Sequence, residues 1–76
     1  MALKLPPDPD QTNDLRADWA NSALVTFMDV TKSDPPDMLS DLITDLMHWC
    51  DRNGQNFETE LTRARGNYHE ETLPDL

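Results

Sequence analysis

The sequence predicts an all-α fold, a small three-helix bundle preceded by an extended, proline-rich N-terminal arm. Apolar residues recur at helical rather than strand spacing along three stretches. Turn- and cap-forming groups divide those stretches, Ser33 to Asp37 and Asn53 to Asn56. No internal repeat or low-complexity tract interrupts the 76 residues. The chain divides into an arm over residues 1–11, a helical domain over 12–72 with helices at about 13–32, 35–52 and 57–71, and a tail over 73–76.

The arm contains Pro6, Pro7 and Pro9, which forbid a helix, while Leu3 and Leu5 offer a way of pinning it to the core. Thr12 or Asn13 caps the first helix, and Asp14 sits where the positive helix end favours an acid. Its inward stripe is expected to be Leu15, Trp19, Ala23, Phe27 and Val30, flanked by Ala20 and Leu24, with Val25 and Met28 pointing away.

The central helix organises the rest. Met38, Leu39, Leu42, Ile43, Leu46, Met47, Trp49 and Cys50 cover roughly half its circumference at about 100° per residue, so it should be covered from two sides. Asp34 is expected as its N-cap, Pro35 as its first residue and Asp37 as the far member of a capping-box-like pair; Asn53 and Gly54 should close it. Asn56 caps the last helix, whose stripe is Phe57, Leu61, Ala64 and Tyr68. Gly66 inside that helix costs about 1 kcal/mol relative to alanine and should fray or kink the final turns.

Composition narrows the function classes. Fifteen acidic and six basic residues give a net charge of −9, which disfavours direct binding to nucleic acid or to an anionic membrane. Residues 1–51 carry −7 of that charge, so the negative face belongs to the first two helices. A single cysteine forms no internal disulfide and no apolar run is long enough to span a bilayer, so a reducing cytoplasm is the expected compartment. Cys50, near the middle of the apolar arc, is expected as a buried small hydrophobe rather than a nucleophile.

No constellation names a reaction. Ser22, Ser33 and Ser40 lack a glycine-rich elbow, and Gly54 and Gly66 make no phosphate loop. Asp45 and His48 stand in the acid-x-x-His relation of half a di-metal carboxylate site, but converging ligands from other helices are missing; no metal and no cofactor is expected. The run Ser40 to Trp49, SDLITDLMHW, resembles the acidic helix of all-helical nucleotide pyrophosphatases, which hold magnesium between carboxylates. The paired-glutamate helix of that family has no counterpart here, so the resemblance brings no magnesium cage.

The pattern that remains is charge. Asp37, Asp41, Asp45, His48 and Arg52 share one polar face, and the three aspartates repeat about 6 Å apart along the axis, comparable to successive phosphates of a strand. Asp14 and Asp18 repeat the spacing on the first helix. Such a ladder suits a basic groove built for DNA or RNA, whereas the plainer reading is a solubilising surface. Asp41 to Glu71 also resembles a pattern in small acidic proteins of bacterial prophages and plasmids: an aspartate-rich helix ending in Met-His-Trp, an Asn-Gly turn, and a last helix closing on an aromatic-His-Glu. Gly66 departs from the usual alanine-rich last helix. The resemblance implies a mobile-element context in which such proteins inhibit CRISPR effectors and restriction enzymes; it carries over no residue roles.

The resulting expectation is a non-enzymatic protein that binds and blocks a basic, nucleic-acid-handling protein surface through Asp14, Asp18, Asp37, Asp41, Asp45 and His48. The alternatives are a homodimeric regulatory module using Val25, Met28 and Trp49, and a metal-dependent hydrolase using Asp45 and His48.

Overall fold

In the computed structural model, residues 4–74 are described and form three helices: α1 (Asn13–Thr31), α2 (Met38–Arg52) and α3 (Phe57–Glu71). Among the described residues there is no strand, and no helix is long and apolar enough to cross a membrane. The fold is the all-α three-helix bundle that the spacing predicts. α2 touches both α1 and α3 and is the central element.

The helix ends show why each element stops where it does. Thr12 precedes α1 without a side-chain cap; its hydroxyl donates to Asp10 Oδ1 at 2.8 Å instead. α1 closes on Lys32, whose amide donates to the Met28 carbonyl at 2.8 Å from a left-handed backbone, φ 60°. That conformation brings a β-carbon too close to the following carbonyl, and glycine relieves it. Lys32→Gly is therefore expected to stabilise the chain by about 0.5–1 kcal/mol, read as a rise of several degrees in Tm. An unchanged or lower Tm would show that the lysine side chain contributes more than the backbone strain removes.

α2 begins later than the sequence suggests. Its N-cap is Asp37, not Asp34, and its first residue is Met38, not Pro35; neither side-chain bond of a capping box forms. The two prolines are the cause, because Pro36 disfavours helical backbone at Pro35. Asp34 to Asp37 instead makes a tight turn, with the Asp37 amide donating to the Asp34 carbonyl at 2.9 Å. At the other end the Gln55 amide reaches back to the Cys50 carbonyl at 3.0 Å, a Schellman-type closure that places Gly54 at φ 68°. Asn53, at φ −119°, stays on the right-handed side. Asn56 caps α3 as expected, its Oδ1 accepting from the Thr59 amide at 2.9 Å. α3 runs unbroken through Gly66 to Glu71.

How the helices are arranged follows from one contact. The Asn13 side-chain amide donates to the Glu71 carbonyl at 2.8 Å, so the start of α1 meets the end of α3. In an up-down-up bundle those ends would lie a helix length apart, about 22 Å for fifteen residues. Here the three helices run head to tail around a circuit that the Asn13–Glu71 bond closes. The result is broad and thin, 42 × 31 × 20 Å, with a radius of gyration of 14.7 Å where a compact chain of this length has about 11 Å.

Packing is correspondingly sparse. Cys50, at 7% exposure, is the one buried hydrophobe among the described residues, in keeping with its expected role. The expected α1 stripe is covered only at Phe27 and beside it at Leu24: Trp19 is 62% and Val30 78% exposed, while Met28, expected to point away, is half-buried. The inner face lies roughly 100° around the helix, because α1 leans on α2 near its C-terminal end and is held through Asn13 and Arg16 at the other. Met28 thus points inward, contrary to expectation. In α3 only the first half of the stripe, Phe57 and Leu61, is covered, and Tyr68 is exposed. Ahead of α1, residues 4–12 have no regular structure beyond a turn closed by the Gln11 amide on the Asp8 carbonyl at 3.1 Å. Leu5 is largely exposed and does not pin the arm; Leu3 lies outside the described residues.

Candidate functional site

The polar face of α2 presents Asp37, Asp41, Asp45 and His48 to solvent, all exposed. Asp37 ends the Pro35-Pro36 turn and lends its carbonyl to the Asp41 amide at 2.9 Å. Asp41 accepts from the Ser33 hydroxyl at 2.5 Å, which fixes the carboxylate against the α1–α2 turn. Further along, the Arg52 guanidinium donates to the His48 carbonyl at 3.2 Å rather than to an aspartate.

Among the described residues the ion pairs are Arg16 with Asp10, Arg16 with Glu71, and Arg63 with Glu60. None neutralises the α2 row. Three like charges at four-residue spacing therefore stand uncompensated on one helix face, at a cost of a few tenths of a kcal/mol per neighbouring pair. Asp14 and Asp18 are exposed as well, but they lie in the first turns of α1, at the opposite end of that helix from Asp37. The structure does not place them beside the start of the α2 row.

A second polar cluster lies at the junction of α1 and α3. Arg16 makes a two-pronged bond to Asp10, at 3.0 and 3.1 Å, reaches Asn13 Oδ1 at 2.7 Å and Glu71 at 3.3 Å, and so ties the turn before α1 to the last turn of α3. Those guanidinium bonds, with the Thr12 hydroxyl, hold the Asp10 carboxyl far below the usual carboxylate range, and Asp10 raises Arg16 in return. The Asp10–Arg16 pair is local enough to be read from sequence. Glu71, fifty-five positions from Arg16, carries no such signal.

Beside this cluster a cleft of about 450 Å³ opens between Leu5, Pro6, Ala17, Ala20, Tyr68 and Thr72. The cation on its wall, Arg16, is already engaged by Asp10 and Glu71. Asp45 and His48 acquire no third ligand, since no three His, Cys, Asp or Glu side chains among the described residues are grouped to hold a metal ion.

Fold and face together define a small, open, all-α chain whose most distinctive surface is a row of aspartates without an ion-pair partner among the described residues. No protein-family model matches it, and no curated protein and no solved structure does so either.

Proposed function

We propose that this chain is a non-enzymatic acidic interaction protein that occupies a basic, nucleic-acid-handling surface on another protein, of the kind presented by CRISPR effectors and restriction enzymes, in the cytoplasm. The observation that carries the reading is the α2 row: Asp37, Asp41 and Asp45 are exposed, evenly spaced and without a cation of their own. Such charges also keep a chain soluble, but a row at this even spacing is matched by a groove lined with lysine and arginine, which neutralises it and is steered to it from a distance. His48 extends the face, and Asp14 and Asp18 add to the long-range field rather than to the contact.

The test compares tagged wild type with Asp41→Lys/Asp45→Lys in capture from a bacterial lysate, with elution by a salt step and competition by duplex DNA. Wild type is expected to retain a nucleic-acid-binding protein that DNA displaces and moderate salt releases; the double reversal should lose it with helicity unchanged. A double reversal that still holds the same protein would overturn the reading.

A further inference from the structure

The cleft beside the Arg16 cluster is walled by three parts of the chain: Leu5 and Pro6 ahead of α1, the first half of α1, and the last turns of α3. Ala17 and Ala20, three residues apart and so on one helix face, line it, and their small side chains leave the space of about 450 Å³ open. That volume lies in the roughly 300–1,000 Å³ range of small-molecule sites. Leu5 at 76% and Tyr68 at 60% exposure border it, so large side chains from different parts of the chain are left around one gap. The charge of the lining is lopsided. Asp8, Asp14 and Glu71 stand against Arg16, and Arg16 is held by Glu71 and by Asp10, which does not line the cleft. Asp8 accepts from the Asn13 amide at 3.3 Å, and neither Asp8 nor Asp14 has an ion-pair partner among the described residues.

We propose that this cleft binds a small organic cation, an ammonium carried on an aromatic or aliphatic body, the body covering Ala17, Ala20 and Tyr68 and the ammonium lying at Asp8 and Asp14. Both halves of the ligand are selected. A phosphate or carboxylate compound meets two carboxylates and finds the one guanidinium already engaged. A neutral apolar compound takes water from those carboxylates and gives them no counter-charge. A bare ammonium ion leaves Leu5 and Tyr68 uncovered. A tyrosine beside the cation adds a cation–π attraction. The site uses none of Asp37, Asp41 and Asp45, so its failure leaves the blocking reading intact.

Amide chemical shifts of the full chain in near-physiological salt test the site with three probes: phenylbutylamine, phenylbutanol and methylamine. Phenylbutylamine is expected to saturate with a Kd of about 1 mM and to move Ala17, Ala20 and Tyr68. Phenylbutanol should bind about five- to tenfold more weakly, having lost a solvent-screened ion pair and a cation–π contact. Methylamine should give no saturable shift. An amine that does not saturate at millimolar concentration, or whose shifts are confined to α2, overturns the proposal. Equal binding of phenylbutanol removes the cation from the site, and equal binding of methylamine reduces the effect to attraction by an acidic surface; either result overturns it as well. These comparisons use the wild-type chain alone, so they decide even where a variant does not fold. Two variants locate the ligand. Ala20→Met, which fills the space, should weaken the amine at least tenfold, and Asp14→Asn should weaken it about threefold while phenylbutanol is unaffected. An Ala20→Met chain of wild-type helicity that binds the amine unchanged puts the ligand elsewhere and overturns the assignment.

Discussion

Replacing Cys50 with aspartate is expected to remove much of the chain's stability and bring it close to unfolding. At about 0.05–0.15 kcal/mol per residue, a domain of this size holds roughly 4–11 kcal/mol in total. Cys50 is its one buried apolar side chain among the described residues, and its carbonyl also receives the Asn53 and Gln55 amides that turn the chain from α2 into α3. A carboxylate there has no cation to meet, and an uncompensated buried charge costs roughly 3–5 kcal/mol. Cys50→Ala should cost about 1 kcal/mol, keep the helices and serve as the control. Far-ultraviolet circular dichroism through a urea titration reads both. If Cys50→Asp unfolded within 1 kcal/mol of Cys50→Ala, cohesion would have to reside in contacts other than those around α2's last turn.

Arg16→Ala is expected to release the last turn of α3 from the first turn of α1. The guanidinium reaches Asp10, Asn13 and Glu71, so among the described residues its loss leaves the Asn13–Glu71 hydrogen bond across that junction. Amide exchange at Glu70, Glu71 and Thr72 should accelerate about tenfold while exchange in the middle of α2 is unchanged. The pH dependence has a definite sign. Asp10 is depressed in the folded state below its ordinary value near 3.9, so the stabilisation from its pair with Arg16 is complete above that value and drains away as the pH falls further. Between about pH 4 and pH 2 the Tm of wild type should therefore fall more steeply than that of Asp10→Asn, with parallel behaviour above pH 5. Parallel curves throughout would mean that the pair exists without holding the junction.

The helices were legible because their signals are local. Asn56 followed by Phe57 is a cap and a start within one turn, and Gly54 marks the end of α2 through its backbone freedom alone. The start of α2 is ambiguous in the sequence because two opposing rules meet at Asp34-Pro35-Pro36: proline suits a first helical turn, yet the residue before a proline resists helical backbone. The α1 face is only partly legible, for another reason. A stripe drawn through Leu15, Trp19 and Val30 is the most apolar one, but the face that turns inward is set by where neighbours stand, and those contacts are far apart in sequence. The α2 aspartates were legible as a row, because four-residue spacing alone puts them on one face. Their lack of cations was not, since an ion pair such as Arg16–Glu71 spans the whole helical region.

The bond between Asn13 and Glu71 makes the helical region a ring with one short gap. Residues 13 and 71 could be spliced by a linker of a few residues and the chain reopened in the Pro35-Pro36 turn or beside Gly54, a permuted order that keeps the contacts within residues 13–71 and gives up the Arg16–Asp10 pair. Whatever is fused before residue 13 and after residue 71 would leave from a single corner of the molecule, so two cargoes attached there would be held side by side.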